Sequence, residues 1–478
     1  MENHNIYISP FSTRYADKEM QYLFSDDFKF KTWRKLWLAL AESEKELGLN
    51  ISDDQIDELR NNVENINFDV AVEKEKEIRH DVMSHVYAYG VQCPKAKPII
   101  HLGATSCFVG DNTDIIIQKE ALQIILKKLV NVIRKLSNFA RKYASLPTLA
   151  YTHLQPAQPT TVGKRATLWI NDFILDLKDL EYRINNLELR GCKGTTGTQA
   201  SFLELFDGDV KKVFLLDNKL TEKMGFKKSV DVCGQTYSRK VDFLIQSTLS
   251  AIAQSSYKFA SDLRMLQAFK EVEEPFEKHQ VGSSAMPYKR NPMRCERICG
   301  LARYIIVNLQ NLSFTASSQW FERTLDDSAN RRISIAEGFL ATDAVLNLLL
   351  NVTGDLVVYD KVILNRLNKE LPFMTVENIM MDAVKHGGDR QLLHEKIRSY
   401  SQETAYEIKM NGQDNDLIEK IKNDSDFYLT EEALKGLLDP SKYIGLAKEQ
   451  TNIFLEQTVN PILERYNNFS EENIELSV

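Results

Sequence analysis

Two long windows without proline constrain this chain more than any other feature. No proline occurs between Pro159 and Pro275 or between Pro292 and Pro372, leaving 115 and 79 uninterrupted residues. Proline removes a helical donor and its ring clashes with the preceding turn, so windows of this length permit very long helices. The apolar pattern agrees. In "GDNTDIIIQKEALQIILKKLVNVIRKLSNFARKYAS" apolar side chains fall at Leu122, Ile125, Leu126, Leu129, Val132, Ile133, Leu136, Phe139 and Tyr143, tracing one helix face. Asp111 and Asn112 supply N-cap chemistry at its start. About 34 residues rising 1.5 Å each make a rod roughly 50 Å long. The segments from Val241 to Leu266 and from Ile333 to Leu350 repeat the spacing. An all-α protein built on a central bundle of long helices is the natural outcome.

The flanks read differently. "ENINFD" and "QCPKAKP" break up the first stretch, and "LPFM", "KHGGDR" and "LLDPSK" interrupt short helices in the last. The expected division is into three helical domains, residues 1–105, 106–358 and 359–478, the middle one largest. A net charge of −7 argues against an extended nucleic-acid surface. A local cluster of cations for an anionic small molecule stays compatible with it. The longest apolar runs, such as "AVLNLLLNVTGDLVVY", are broken by Asn, Thr, Gly and Asp short of a membrane span. The start lacks the basic and apolar regions of a secretory leader. Six scattered cysteines without a CxxC pair fit a reducing, cytoplasmic setting rather than a disulfide framework. Cys295 and Cys299, one helical turn apart, read as buried core residues.

Function should sit in the polar islands between the rods, because loops carry chemistry on a rigid scaffold. "IRHDVMSHVYAYG" puts Arg79, His80 and Asp81 side by side, although a solvated helix face explains such a run equally simply. His80 and His85 are spaced i,i+5, poor for shared metal ligation. "HLGATSCFVGDNTD" offers Thr105, Ser106 and backbone N–H groups to an anion ahead of the first rod. "YTHLQPAQPTTVGKR" sets Thr152 and His153 among amides just before helix-forming sequence. "LRGCKGTTGTQASF" is glycine-rich but matches neither GxxxxGK[ST] nor GxGxxG, so a nucleotide cradle of those kinds is unsupported. "QVGSSAMPYKRNPM" crowds Ser283, Ser284, Lys289, Arg290 and Asn291 between Pro287 and Pro292, and Gly282 favours irregular backbone. Soon after it, "QWFERTLDDSANRR" gathers Arg323, Ser328, Arg331 and Arg332 beside Trp320 and Phe321, a setting suited to an anion.

Together these islands supply cations, a histidine and serines, and no Asp/Glu/His/Cys cage, so no metal or cofactor is implied. The set suits elimination next to a carboxylate. Removing a proton there builds up negative charge that preorganised cations and N–H donors must hold. A serine acts as base only when nearby positive charge stabilises its alkoxide. The leaving amine needs a general acid that titrates near neutrality, histidine's range. On composition alone, either adjacent serine could be the base.

"GSSAMPYKRNP" resembles the signature loop of the fumarase/aspartase superfamily. With "TRYAD", "RHDVM", "LGATS", "YTHLQPAQPTTVGKR", "GTTGTQASF", "GQTYSRK" and "QWFERTLDDSANRR", the chain is similar to the adenylosuccinate lyase branch, in the long form typical of animals. The resemblance runs from about Ser12 onward. It implies cleavage of fumarate from adenylosuccinate, giving AMP, and from the succinyl-carboxamide ribotide SAICAR, giving AICAR, in purine nucleotide biosynthesis. It also implies a homotetramer with a 20-helix core and active sites shared between three subunits, acting without nucleic acid or membrane. Carried onto this sequence, Ser283 takes the proton, His153 protonates the departing nitrogen, Glu296 orients that histidine, and Lys289 and Asn291 hold carboxylates. Arg14, Tyr15, Arg79, His80, Asp81, Thr105, Ser106, Thr152, Gln235, Arg297, Arg323, Ser328 and Arg332 become substrate-binding residues. Argininosuccinate lyase shares the chemistry, but its loop usually reads MPQKKNP where this chain has "MPYKRNP", and fumarase usually has MPGKVNP. An inert crystallin-like scaffold would not need both the His/Ser pair and the surrounding arginines, and a bare helical interaction module leaves the islands unexplained.

Overall fold

The computed structural model describes residues 5–277, 280–281, 284–427 and 429–470. Helix accounts for 69% of it. After one π-helical turn at Phe11–Tyr15 and a short helix at Lys18–Leu23, the N-terminal part carries α1 (Asp26–Glu46), a nine-residue helix at Asp53–Asn61, α2 (Phe68–Ile78) and α3 (Asp81–Gln92). Ser25 starts α1 by accepting the Phe28 N–H at 3.2 Å, and Asp26 and Asp27 occupy the first turn, where the helix dipole favours anions. Trp33, Leu36, Trp37 and Leu40 form its buried stripe. Their core also takes in Leu189, Phe202, Leu216 and Tyr237 from later in the chain.

The bundle begins with α4 (Ser106–Lys142), 37 residues long and therefore about 55 Å from end to end. Two strands, β1 (Pro147–Thr152) and β2 (Gln155–Thr161), then form an antiparallel hairpin. The rods α5 (Val162–Asn185), α6 (Lys240–Ala268), α7 (Met293–Ser317) and α8 (Asp326–Gly354) complete it. Between α6 and α7, β3 (Val272–Glu273) pairs with β4 (Val357–Val358) beyond α8. α4 packs along α5 and α8, and α6 along α7. Gly163 is required where α5 meets α4, since a Cβ there would lie 2.4 Å from the Ala140 carbonyl oxygen. Cys295 and Cys299 are buried free thiols in this core.

α8 is long and apolar enough, at mean hydropathy 1.6, to cross a membrane by composition. In the fold 83% of that window is buried inside the protein. A helix apolar on every side is what the centre of a bundle calls for.

Three local expectations are corrected. α4 starts at Ser106 with Thr105 as its extended N-cap residue, so Asp111 and Asn112 are helix-interior positions. Both are buried and serve tertiary partners instead of the helix end. The stretch around His153 is a two-stranded hairpin rather than a simple loop. Both strands are edges, which tolerate Pro147, Pro156 and Pro159 because unpaired N–H positions are available there. "LPFM" does not break a helix either. Pro372 lies buried inside α9 (Asp360–Lys385), whose packing through Leu367, Leu371 and Thr375 holds the helix together across it. "KHGGDR" does end α9, and α10 (Arg390–Asn411) comes next under an Asp389 cap. A smaller core around Ile379, Leu393, Leu417 and Phe427 closes the C-terminal part.

The rods alternate in direction, and this gives the bundle two distinct ends. One end gathers the starts of α4, α6 and α8. The other gathers their finishes, the hairpin, β3 and β4, and the approach to the "QVGSSAMPYKRNPM" segment. Tyr151 of β1 packs 5.3 Å from the ring of Phe269, just past α6, which fixes the hairpin at that second end.

Candidate active site

At the first end lies a cavity of about 740 Å³ between α1, α2, α3 and the starts of α4 and α8. Its floor is an ionic network that none of the sequence islands revealed. Arg239 reaches Asp111 through two bonds of 3.1 Å and Asp327 through one of 2.7 Å. Asp327 turns its other oxygen to Arg323 at 2.9 Å. Burial pushes the Asp327 carboxyl upward, but Arg239 and Arg323 pull harder, and it ends below its ordinary value. Beneath, Arg331 bonds Asp242 at 2.7 Å, Asp114 at 2.9 Å and the Tyr237 hydroxyl at 2.6 Å. Each buried charge meets an opposite one, the condition under which such groups are tolerated in a low dielectric. All three arginines of that run border the cavity, but Arg331 is committed to carboxylates beneath it, whereas Arg332 is largely exposed.

The wall comes from the junction of α2 and α3. Arg79 ends α2 in a left-handed conformation, φ 56°, and His80 opens α3 as its N-cap. The His80 Nδ1 accepts the Met83 N–H at 3.3 Å, so a neutral ring carries its hydrogen on Nε2, 3.4 Å from Ser106 Oγ. Asp81 lies 3.6 Å from Arg332, whose side chain is 68% exposed and leans over the opening. His85, by contrast, stacks on Phe30 at 3.7 Å inside the core. Burial, then Arg34 and Lys29, push its pKa down to about 4, making it a neutral structural residue.

Arg79, His80, Asp81, Ser106, Gln235, Arg323, Ser328 and Arg332 line this one cavity, and Thr105 immediately precedes it as the N-cap residue of α4. Asp111, Asp327, Arg239, Cys107 and Lys29 join them without having been expected. Spacing and motif gave no signal for them, because their partners lie far away in sequence, as Asp111 and Arg239 do.

The other expected residues gather at the opposite end. Thr152 and His153 are exposed at the hairpin tip. His153 and Leu154 both have positive φ, 55° and 57°, in a two-residue turn where Asn-Gly would be relaxed. Two such non-glycine conformations cost on the order of 1–3 kcal/mol each, and strain of this kind concentrates at functional positions. Ser283 and Gly282 lie outside the described residues. Ser284 and Lys289 are exposed, and Asn291 is half-buried. Arg290 anchors the segment's exit through Glu273 at 3.5 Å, the Tyr359 hydroxyl at 3.3 Å and the ring of Phe276. Glu274 receives the N–H groups of Arg294 and Cys295 at 3.0 and 2.9 Å, capping α7. Glu296 is 53% exposed, with Arg264 at 3.8 Å. Arg297 sits 5.7 Å over the ring of Tyr15, next to exposed Arg14.

The length of α4 decides what one copy can do. Ser106 in the cavity and the hairpin after Lys142 are separated by about 55 Å of continuous helix. A cavity lined by arginines with their carboxylate partners and a strained histidine therefore belong to opposite ends of the same chain.

Likeness to known proteins extends along the whole length. A family profile described as "Lyase" matches residues 15–307, and one described as "Adenylosuccinate lyase C-terminus" matches 372–454. The chain is 51% identical to adenylosuccinate lyase of Saccharomyces cerevisiae and 50% identical to that of Schizosaccharomyces pombe, over 482 residues and all of both chains in each case. In fold it is similar to 3-carboxy-cis,cis-muconate lactonizing enzyme from Pseudomonas putida, at TM-score 0.79 and 21% identity, covering 96% of this chain and 99% of that one.

Proposed function

This chain belongs to the adenylosuccinate lyase family, and we propose that it eliminates fumarate from adenylosuccinate to leave AMP, and from SAICAR to leave AICAR. The observation carrying the activity is likeness to enzymes of that name along the entire chain. In this reading Ser283 takes the proton from the succinyl carbon, and the freed electron pair becomes the fumarate double bond as carbon–nitrogen bonding breaks. His153 returns a proton to the nitrogen, with Glu296 orienting it. Lys289 and Asn291 hold the succinyl carboxylates, while Arg323, Arg332, Arg79, His80 and Ser106 offer donors to the nucleotide end, phosphate included. Arg14, Tyr15, Thr105, Thr152, Asp81, Gln235, Arg297 and Ser328 complete the binding set.

Because the two ends are too far apart within one copy, the active site is assembled from several. A homotetramer with a 20-helix core, each site drawing on three subunits, satisfies this. Leu168, Leu175 and Tyr182 support it: they are exposed at seven-residue spacing along α5, a seam suited to another helix. Val307 and Phe314 do the same on α7. The division into residues 1–105, 106–358 and 359–478 and a cytoplasmic location belong to the same reading.

Incubation with adenylosuccinate should yield AMP and fumarate, whereas turnover of argininosuccinate instead, or a folded oligomer without turnover, would refute the activity. Ser283→Ala should abolish single-turnover cleavage, and near-wild-type cleavage would remove serine as the base. Mixing inactive His153→Ala with inactive Arg332→Ala should restore activity after subunit exchange, toward about a quarter of wild type on random assembly. No recovery from an exchanged mixture would mean that each site is built within one copy.

A further inference from the structure

Arg190 is one of the largest side chains fully enclosed by this fold, at 0% exposure. Among the described residues it forms no ion pair. Its guanidinium is spent on backbone: Nε donates to the Gln235 carbonyl at 2.8 Å, Nη2 to the Gly194 carbonyl at 2.8 Å and Nη1 to the Gly191 carbonyl at 3.2 Å. A buried charge satisfied only by carbonyl dipoles is costly to keep and points to a specific task.

The bonds join two loops that the chain keeps about forty residues apart. The first, "LRGCKGTTGTQ", is fixed from beneath by Asn112, which exchanges two bonds with Gly191, at 2.9 and 3.2 Å. The second carries Gln235, whose amide lines the cavity and whose Oε1 accepts the Cys107 thiol at 3.5 Å. Gln235 is gripped from its other side as well, because its N–H donates to the Glu322 carbonyl at 2.9 Å. Gly234 lies so close to that strand of chain that a Cβ would stand 2.5 Å from the Glu322 oxygen. Arg323, the cavity cation, is the next residue. Three layers of backbone are thus stacked in order, with Arg190 at the base, the Gln235 peptide in the middle and the Glu322–Arg323 segment on top.

We propose that Arg190 is a positioning residue for substrate binding: by clamping the Gln235 carbonyl to the glycine-rich loop it sets the Gln235 amide and the Arg323 backbone at the cavity rim. It touches no reacting atom and acts through Gln235. This rests on the assignment of the cavity to substrate, so the test separates the two. Arg190→Lys keeps the charge but offers a single nitrogen, which cannot span carbonyls of two loops as the planar fork does.

Gln235→Ala, Arg190→Lys and the double variant are compared with wild type on adenylosuccinate. Each single change should raise KM ~10-fold with kcat held within ~3-fold, the signature of lost ground-state binding. The double variant should fall well short of the product of the two single effects, because both disturb the contact made by the Gln235 amide. Multiplying effects, an unchanged KM in folded Arg190→Lys, or a silent Gln235→Ala would each overturn the inference with the lyase activity intact. Absence of turnover by wild type would instead overturn the activity. Should Arg190→Lys fail to fold, Gly234→Ala probes the clamp from the other face: a raised KM supports it and an unchanged KM in a folded protein rejects it.

Discussion

Glu44 lies wholly inside the N-terminal core, and neither carboxylate oxygen has a hydrogen-bond partner among the described residues. Burial pushes its pKa from 4.5 to about 9, so the residue is a neutral acid at physiological pH. The folded value is raised, so its contribution to stability is complete below 4.5 and is lost as pH climbs through about 9. Between those values the loss amounts to about 1.4 kcal/mol per pH unit. Glu44→Gln should flatten that slope: urea melts at pH 5 and pH 8 should differ more for wild type than for the variant. Equal slopes would mean that Glu44 is ionised in the fold. At this scale the sequence shows which groups exist and not whom they meet. Asp111 looked like a cap because its true partner, Arg239, is 128 residues away. Arg331 and Arg332 are neighbours with the same chemistry, yet one is buried among carboxylates and the other leans over the cavity.

Among the elements, α7 starts in an unusual way. Pro292 holds its N-cap position without a side-chain bond, and the free N–H groups of the first turn are met from another strand by Glu274. Glu274 also sits at the root of the segment that leads to Ser283, so cap and loop entrance are one construction. Burial raises its pKa and the two N–H bonds oppose that rise. Glu274→Ala should cost about 1–3 kcal/mol through the orphaned donors. On the proposed roles of Glu296, which ends that turn, and Arg297, which follows it, the substitution should also lower kcat. A variant with normal melting and normal kcat would show the cap to be dispensable. The rods themselves were legible, since α6 and α8 occupy the stretches that apolar spacing marks out. The hairpin was not: prolines argue against strands, and only its pairing of two edges makes them harmless. Its histidine was visible by composition, while the positive φ that singles it out was not.

For the whole molecule, the governing fact is that the cavity and the hairpin occupy opposite ends of a bundle, with α4 running from one to the other. That architecture could be anticipated from the proline-free windows, but which polar island falls at which end depends on the alternating directions of the rods. In the proposed assembly α4 acts as a gauge rod: it sets the distance and the rotation between two half-sites, each of which would meet a counterpart on another copy. Every residue in it adds 1.5 Å of rise and turns the downstream chain by about 100°. Substitutions on its exposed side should be tolerated, such as Gln123→Ala, with melting temperature and activity close to wild type. Deleting that same residue should be ruinous to turnover, because the hairpin would swing about a quarter-turn away from its partner. A deletion variant with normal kcat would show that the two ends are not held in register by α4. With such a gauge, the letters along the exposed side of the helix are interchangeable while their number is not.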